Sequence, residues 1–176
     1  MDLELVGWPP DGPKLDLDYR SFSYAGKFVM TNTGKALVRE DGSVRAAAAF
    51  NEDRTEPGTL WIRYITTHVD YRGDGFGPRL LEFVRDRARE RDYDTVRIAV
   101  NNPFAYEACY RAGFGYTGRE TGIAELVLET PADRSRERYQ EGLDAFRARD
   151  LEEPERAFLE RKHGVDPPAG SDGRGE

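Results

Sequence analysis

Arg72, Gly73, Gly75 and Gly77, within the run VDYRGDGFGPRLL at residues 69–81, have the types and spacing of a site that holds an anion. An apolar segment, Leu60 to Val69, leads into these glycines, and an amphipathic segment follows. The order reads as strand, turn, helix. Glycines without Cβ let the backbone take positive φ and approach a ligand closely. The first N–H groups of the following helix have no partner within it and point outward, with the positive end of the helix dipole behind them. A phosphate or pyrophosphate suits that place, and Arg72 adds a side-chain cation. Asp74 and Phe76 complete the loop. Two familiar phosphate loops are excluded. No Gly-Lys-Ser/Thr follows, so this is not a P-loop. Leu80 stands where the last glycine of G-x-G-x-x-G should be, so it is not a dinucleotide fingerprint. Arg72-Gly73-Asp74 also spells a cell-adhesion tripeptide, which is chance in a chain with no sign of secretion. A purely structural turn from strand to helix is the plain alternative.

A second segment bears on that choice. Val96 to Val100 reads as a buried strand, and NNPFAYEACYRAGF follows at residues 101–114. Asn102 is a good N-cap, Pro103 fits the first helical position, and Gly113 fits a left-handed stop. Phe114 then enters another strand.

Together the two segments resemble the GNAT superfamily of acyl-CoA-dependent N-acetyltransferases. Arg72, Gly75 and Gly77 match its pyrophosphate loop, Arg/Gln-x-x-Gly-x-Gly/Ala. Asn102, Ala105, Tyr110, Gly113 and Phe114 match its second signature, Asn-x-x-Ala, then Tyr, then Gly-Phe. Either motif alone is common; both in order, each in a strand-loop-helix setting, are specific. The resemblance covers residues 35–128 well and the ends poorly. Pro78 is a local departure, because it removes one N–H from the loop, although proline suits a first helical turn.

The resemblance implies an α/β (α+β) fold: a mixed, mostly antiparallel sheet flanked by helices. It implies acetyl transfer from acetyl-CoA, without a metal, to a primary amine that attacks directly in a ternary complex. Backbone groups at Ile65, Thr66 and Thr67 would pair with the pantetheine arm, and an N–H near Thr67 would face the oxyanion. The side chains of Thr66 and Thr67 read as β-branched strand formers. Tyr110 is the matched proton donor, since a phenol stays protonated at neutral pH and can hydrogen-bond a thiolate. Packing against the sheet is its plain alternative. Asn102 would touch the cofactor, though its cap role already explains it. Leu60 to Val69 carries no Asp or Glu where many relatives place a base. His68, Glu52, Asp53 or a water chain are the candidates. A non-catalytic acyl-CoA-binding or regulatory module is the rival reading, favoured by the missing carboxylate.

Composition bounds the partners. With 176 residues and a net charge of −7, the chain reads as a small globular protein that does not bind nucleic acid generally. No apolar run approaches the ~20 residues that span a bilayer, and the first residues lack a signal-peptide pattern, so a cytoplasmic location is expected. Only Lys14, Lys27, Lys35 and Lys162 are lysines among 26 cationic residues, a composition shared by salt-loving microbes and by GC-rich genomes. The single cysteine, Cys109, excludes an internal disulfide and reads as core.

The remaining elements follow from pattern. Leu3 to Val6 is a first strand, and Trp8 to Pro13 ends it. Lys35–Arg39 and Ser43–Phe50 flank Asp41-Gly42, a hairpin signal. Leu80, Leu81, Val84 and Ala88 form the apolar face of a helix whose arginine-rich end suits the dipole. Tyr116–Glu120 and Ala124–Leu128 form a closing pair. Two further helices are expected, one starting at Pro131-Ala-Asp133 and one at Glu153-Pro154. The organisation is thus a domain over residues 1–130, a helical extension over 131–164 that could form a lid, dock on the sheet or join two subunits as a homodimer, and a disordered tail over 165–176. Tyr19, Phe22, Tyr24 and Phe28 have mixed periodicity and are read as core. The acceptor, a small molecule or a peptide amine, is not legible. In relatives it is held largely by the segment after the first strand and by the closing hairpin.

Overall fold

A computed structural model describes residues 1–9 and 12–170. Among the described residues, seven strands, paired mostly antiparallel, and four α-helices make up the fold, as the fold class expected. The chain divides into two compact units, and the division falls inside one strand, between Val96 and Arg97.

In the first unit four strands lie in chain order: β1 (Asp2–Gly7), β2 (Gly34–Glu40), β3 (Ser43–Glu52) and β4 (Thr59–Thr67). Every neighbouring pair is antiparallel. The β2–β3 turn has φ 54° at Asp41 and φ 77° at Gly42, the two positive values that an Asp-Gly type I′ hairpin requires. Ala46 to Ala49 are all fully buried, so β3 is covered on both faces. Ala47 and Ala49 join Leu37 and Phe28 in one cluster. Strand alternation puts Ala46 and Ala48 on the other face, where α1 (Phe76–Glu90) packs on β2, β3 and β4. Small side chains let both layers approach the strand.

Residues 14–33 contain one short 3-10 turn, Ala25–Val29. Their four aromatic residues separate by role. Phe22 and Phe28 are buried, whereas Tyr19 and Tyr24 are exposed, contrary to the core reading of all four. Mixed periodicity carried no signal of which rings turn inward.

β5 (Thr95–Val100) crosses the division. The second unit then contains α2 (Pro103–Arg111), β6 (Gly115–Glu120), β7 (Leu126–Thr130), α3 (Arg136–Arg147) and α4 (Glu153–Arg161). β6 and β7 are antiparallel. α3 starts at a Ser135 N-cap whose hydroxyl accepts from Arg138 N–H, a few residues beyond the start read from sequence. α4 carries the capping box of Glu152 and Glu155.

The two terminal helices are part of this unit's core. Tyr139 of α3 donates to buried Glu107 of α2 at 2.5 Å, and Lys162 lies 3.0 Å from the same carboxylate. The Tyr106 hydroxyl donates to Tyr139 O at 2.9 Å. Phe158 of α4 packs on Phe104, with ring centroids 5.2 Å apart. The start of the expected disordered tail is tied down as well: Gln140 donates to Val165 O, Arg136 pairs with Asp166, and Arg134 donates to Pro168 O. Residues 171–176 of that tail lie outside the described residues. No helix among the described residues is long and apolar enough to cross a membrane.

Candidate active site

β4 ends at Thr67, and a 3-10 turn over Val69–Tyr71 leads to Arg72. Gly73 and Gly75 both have φ 88°, a left-handed conformation that costs a residue with Cβ roughly 1–2 kcal/mol. A Cβ at either glycine would meet nothing within 4 Å. Conformation, not crowding, therefore requires glycine there, and the space over the loop is open. Gly75 is the N-cap of α1 and provides no side-chain cap, and the first turn contains no acidic residue. The leading N–H groups of α1, at Phe76 and Gly77, thus face no competing carboxylate of that turn. Asp74 donates its N–H to Tyr71 O at 3.3 Å, which closes the turn. Phe76 is buried with its ring edge-on to Tyr71, 6.3 Å between centroids, and anchors the loop. Arg72 reaches Ser23 Oγ at 3.1 Å from an exposed position. Residues 72–77 therefore have the open backbone and the cation that a pyrophosphate needs.

Ile65, Thr66 and Thr67 occupy the end of β4, opposite Ala48, Ala47 and Ala46 of β3. The Thr66 hydroxyl is buried without a hydrogen-bond partner among the described residues, an unsatisfied group on the segment expected to meet the pantetheine arm.

His68 follows directly. Its Nδ1 accepts the Asp70 N–H at 3.1 Å, and its ring sits between Phe22 and Tyr71. In the neutral ring this places the proton on Nε2. Nδ1 would have to give up that bond to take a proton from an amine. Glu52 is paired with Leu60 at one end of the β3–β4 ladder, while Ala46 and Thr67 pair at the other. Six residues of strand, about 20 Å, separate it from the glycine loop. It acts on the Tyr93 phenol, whose pKa is raised by burial first and by Glu52 next. Asp53 accepts from the N–H groups of Thr55 and Glu56, from the Thr55 hydroxyl and from Trp61 Nε1. These donors, the Thr55 amide foremost, hold its carboxyl well below the usual carboxylate range. None of the three is poised as a base.

In the second unit Asn102 caps α2: its Oδ1 accepts Ala105 N–H at 2.8 Å, and Pro103 follows, as the sequence predicts. Gly113 has φ 96°, the left-handed stop expected of it. Cys109 is buried, and desolvation pushes its thiol up to about 12. It is a core residue.

Tyr110 has no exposed surface. Its oxygen accepts the Tyr116 N–H at 3.0 Å, and its ring packs on Tyr106, Tyr139 and the Arg134 guanidinium. Burial, against the pull of the Tyr116 amide and its other partners, raises its pKa. Packing, the plain alternative to the proton-donor role read from its motif, accounts for this placement by itself.

Sequence reasoning passed over Lys27, Arg54, Arg63 and Tyr64, which line a cavity of about 400 Å³ in the first unit together with Asp53 and Asn51. Ile62 pairs with Phe50 and Tyr64 with Ala49, so Arg63 is the extra residue of a bulge in β4. A bulge has no signature in this composition. Among the described residues no group of three His, Cys, Asp or Glu side chains converges in a way that could hold a metal ion.

Comparison with known proteins agrees with this arrangement. The model of the acetyltransferase (GNAT) family matches residues 2–116. No curated protein matches the sequence. Among solved structures, a ribosomal-protein-alanine N-acetyltransferase from Brucella melitensis has 17% identity and a TM-score of 0.50, covering 56% of this chain and 68% of its own. A putative acetyltransferase from Salmonella typhimurium, solved with its cofactor acetyl-CoA, has 19% identity and a TM-score of 0.50, covering 57% of this chain and 65% of its own. At these identities the likeness is one of fold.

Proposed function

Because the chain belongs to the acetyltransferase (GNAT) family, we propose that it moves an acetyl group from acetyl-CoA to a primary amine by direct attack within a ternary complex. The observation that carries this is the open loop Arg72–Gly77: two left-handed glycines ahead of a helix start with no side-chain cap and no acidic residue in its first turn. Its N–H groups and Arg72 would hold the pyrophosphate. Backbone groups of Ile65, Thr66 and Thr67 would hold the pantetheine arm, which directs the thioester along β4. An N–H near Thr67 would stabilise the oxyanion as the amine adds to the carbonyl. The thiolate then leaves and takes a proton. Tyr110 is wholly buried, so water is the better proton source. Water likewise takes the ammonium proton, since His68 and Asp53 are engaged and Glu52 lies at the far end of the ladder.

The same absence of a poised base favours one other reading, a module of this fold that binds acyl-CoA without turning it over. Titration with acetyl-CoA tests both readings, and lack of saturable binding overturns both. Release of free coenzyme A in the presence of an amine panel then separates them. Acetylated product supports transfer, while binding without any product supports the module.

A further inference from the structure

The cavity beside the β4 bulge carries an excess of positive charge in a chain whose net charge is −7. Lys27, Arg54 and Arg63 line it, and none makes an ion pair with a described residue. Asp53 is the only carboxylate among the described lining residues, and its oxygens already serve four donors. Arg63 is held in place, and the Asp53 carboxylate acts on it through space without forming an ion pair. Its Nε donates to Asn51 Oδ1 at 2.7 Å, Asn51 in turn donates to Asn32 O, and the guanidinium lies over Trp61. Both Nη groups remain without a hydrogen bond to the described residues, the fork that carboxylates and phosphates fit.

A further positive charge lies beneath the rim. Lys35 is fully buried, and its ammonium donates to Met30 O, Thr33 O and Thr33 Oγ1 at 2.7–2.9 Å. All three donors are used on neutral oxygens, two of them carbonyls of residues that line the cavity. No described carboxylate pairs with this ammonium, and burial lowers its pKa. Together these cations create a positive field in a partly enclosed space, where it acts more strongly than in open water.

Position gives the cavity its meaning, on the premise that the chain transfers acetyl groups. Arg63 lies on the same strand as Ile65, about 7 Å before it. We propose that the cavity binds the anionic end of the acceptor, so that the acceptor is a primary amine carrying a carboxylate or a phosphate. Polyamines and other polycations meet like charge there and are rejected. The same cations favour the neutral form of a nearby amine over its ammonium form, which is the task left by the missing base. A volume of about 400 Å³ accommodates a molecule the size of an amino acid or dipeptide.

The test uses matched pairs with the full chain and acetyl-CoA: L-phenylalanine against L-phenylalaninamide, O-phosphoethanolamine against ethanolamine, and spermidine as polycation. The anionic member of at least one pair is expected to have a kcat/KM about tenfold or more above its neutral partner, the worth of a charge-assisted hydrogen bond. The pair that responds distinguishes carboxylate from phosphate. Arg63→Gln should bring that ratio close to one, and Lys27→Gln, at an exposed position, should lower it without threatening the fold. Where turnover is nil, calorimetric titration of the same pairs in the presence of coenzyme A decides the matter. Equal preference within both pairs, no binding of either anionic member, or a preference for spermidine overturns the proposal. Failure of acetyl-CoA itself to bind overturns the transferase reading instead, while the amine titrations still report on the cavity.

Discussion

The Tyr110 hydroxyl oxygen accepts the backbone N–H of Tyr116 at 3.0 Å, which ties the end of α2 to the start of β6. Both residues are buried. Tyr110→Phe leaves that amide without an acceptor, and the expected cost is about 1–3 kcal/mol of stability. Thermal or urea unfolding measures it. Turnover per folded molecule is expected to hold. A loss of about a hundredfold at unchanged stability, the size expected when a general acid is removed, would return Tyr110 to the proton-donor role.

The glycine loop makes a separable prediction. Gly75→Ala forces a side chain into φ 88° and is expected to weaken acetyl-CoA binding as well as lower stability by roughly 1–2 kcal/mol. Arg72→Gln touches only an exposed side chain and should weaken binding while leaving the unfolding midpoint alone. Calorimetric titration with acetyl-CoA, paired with a melting curve for each variant, distinguishes the two effects.

Gly142 of α3 reports on the terminal helices. A Cβ there would overlap the Tyr106 hydroxyl. Gly142→Ala should therefore destabilise the chain by about 1–3 kcal/mol through overpacking, despite alanine's better helix propensity. Adding Tyr106→Phe removes the nearest atom but keeps the overlapping ring carbons Cζ and Cε2, so at most a small part of the loss should return. Strict additivity of the two changes, read from unfolding midpoints, would show that this contact does not limit the packing.

Acid stability should depend on Asp53. Its folded pKa is depressed below the ordinary 3.8, through the Thr55 amide first and then its other donors. The stability this provides is fully present above the unfolded value and is lost as pH falls through the folded one. Asp53→Asn should therefore lower the unfolding midpoint at neutral pH, and the gap from wild type should narrow as pH drops below the ordinary value of 3.8. A gap independent of pH would show that the carboxylate charge is not what matters.

Much of the site is legible in local chemistry along the chain. Asn102, Pro103 and Gly113 bound a helix because capping and backbone preference act within a few residues. Gly73 and Gly75 take the conformation that their lack of a side chain allows. The hairpin at Asp41-Gly42 is legible for the same reason. What is not legible depends on distant partners. Tyr110 matches its motif, yet its hydroxyl meets Tyr116 and its ring meets Tyr139, a residue 29 positions away in a helix beyond the family match. His68 sits close to the glycine loop in sequence, but a backbone amide occupies its lone pair.

The sequence by itself determined the strand-loop-helix units, the glycine turn at residues 72–77 and, through paired motifs, the family. Each is written in neighbours along the chain, where conformational preference and hydrogen bonding reach only a few residues. Tertiary structure alone decided that Tyr19 and Tyr24 face outward while Phe22 and Phe28 are buried, and that α3 and α4 complete the core of the second unit. It also gathered Lys27, Arg54 and Arg63 around one cavity. Burial and electrostatics depend on which surfaces meet through space, and a β-bulge at Arg63 or a carboxylate saturated by its own loop at Asp53 appears only when the strands are paired.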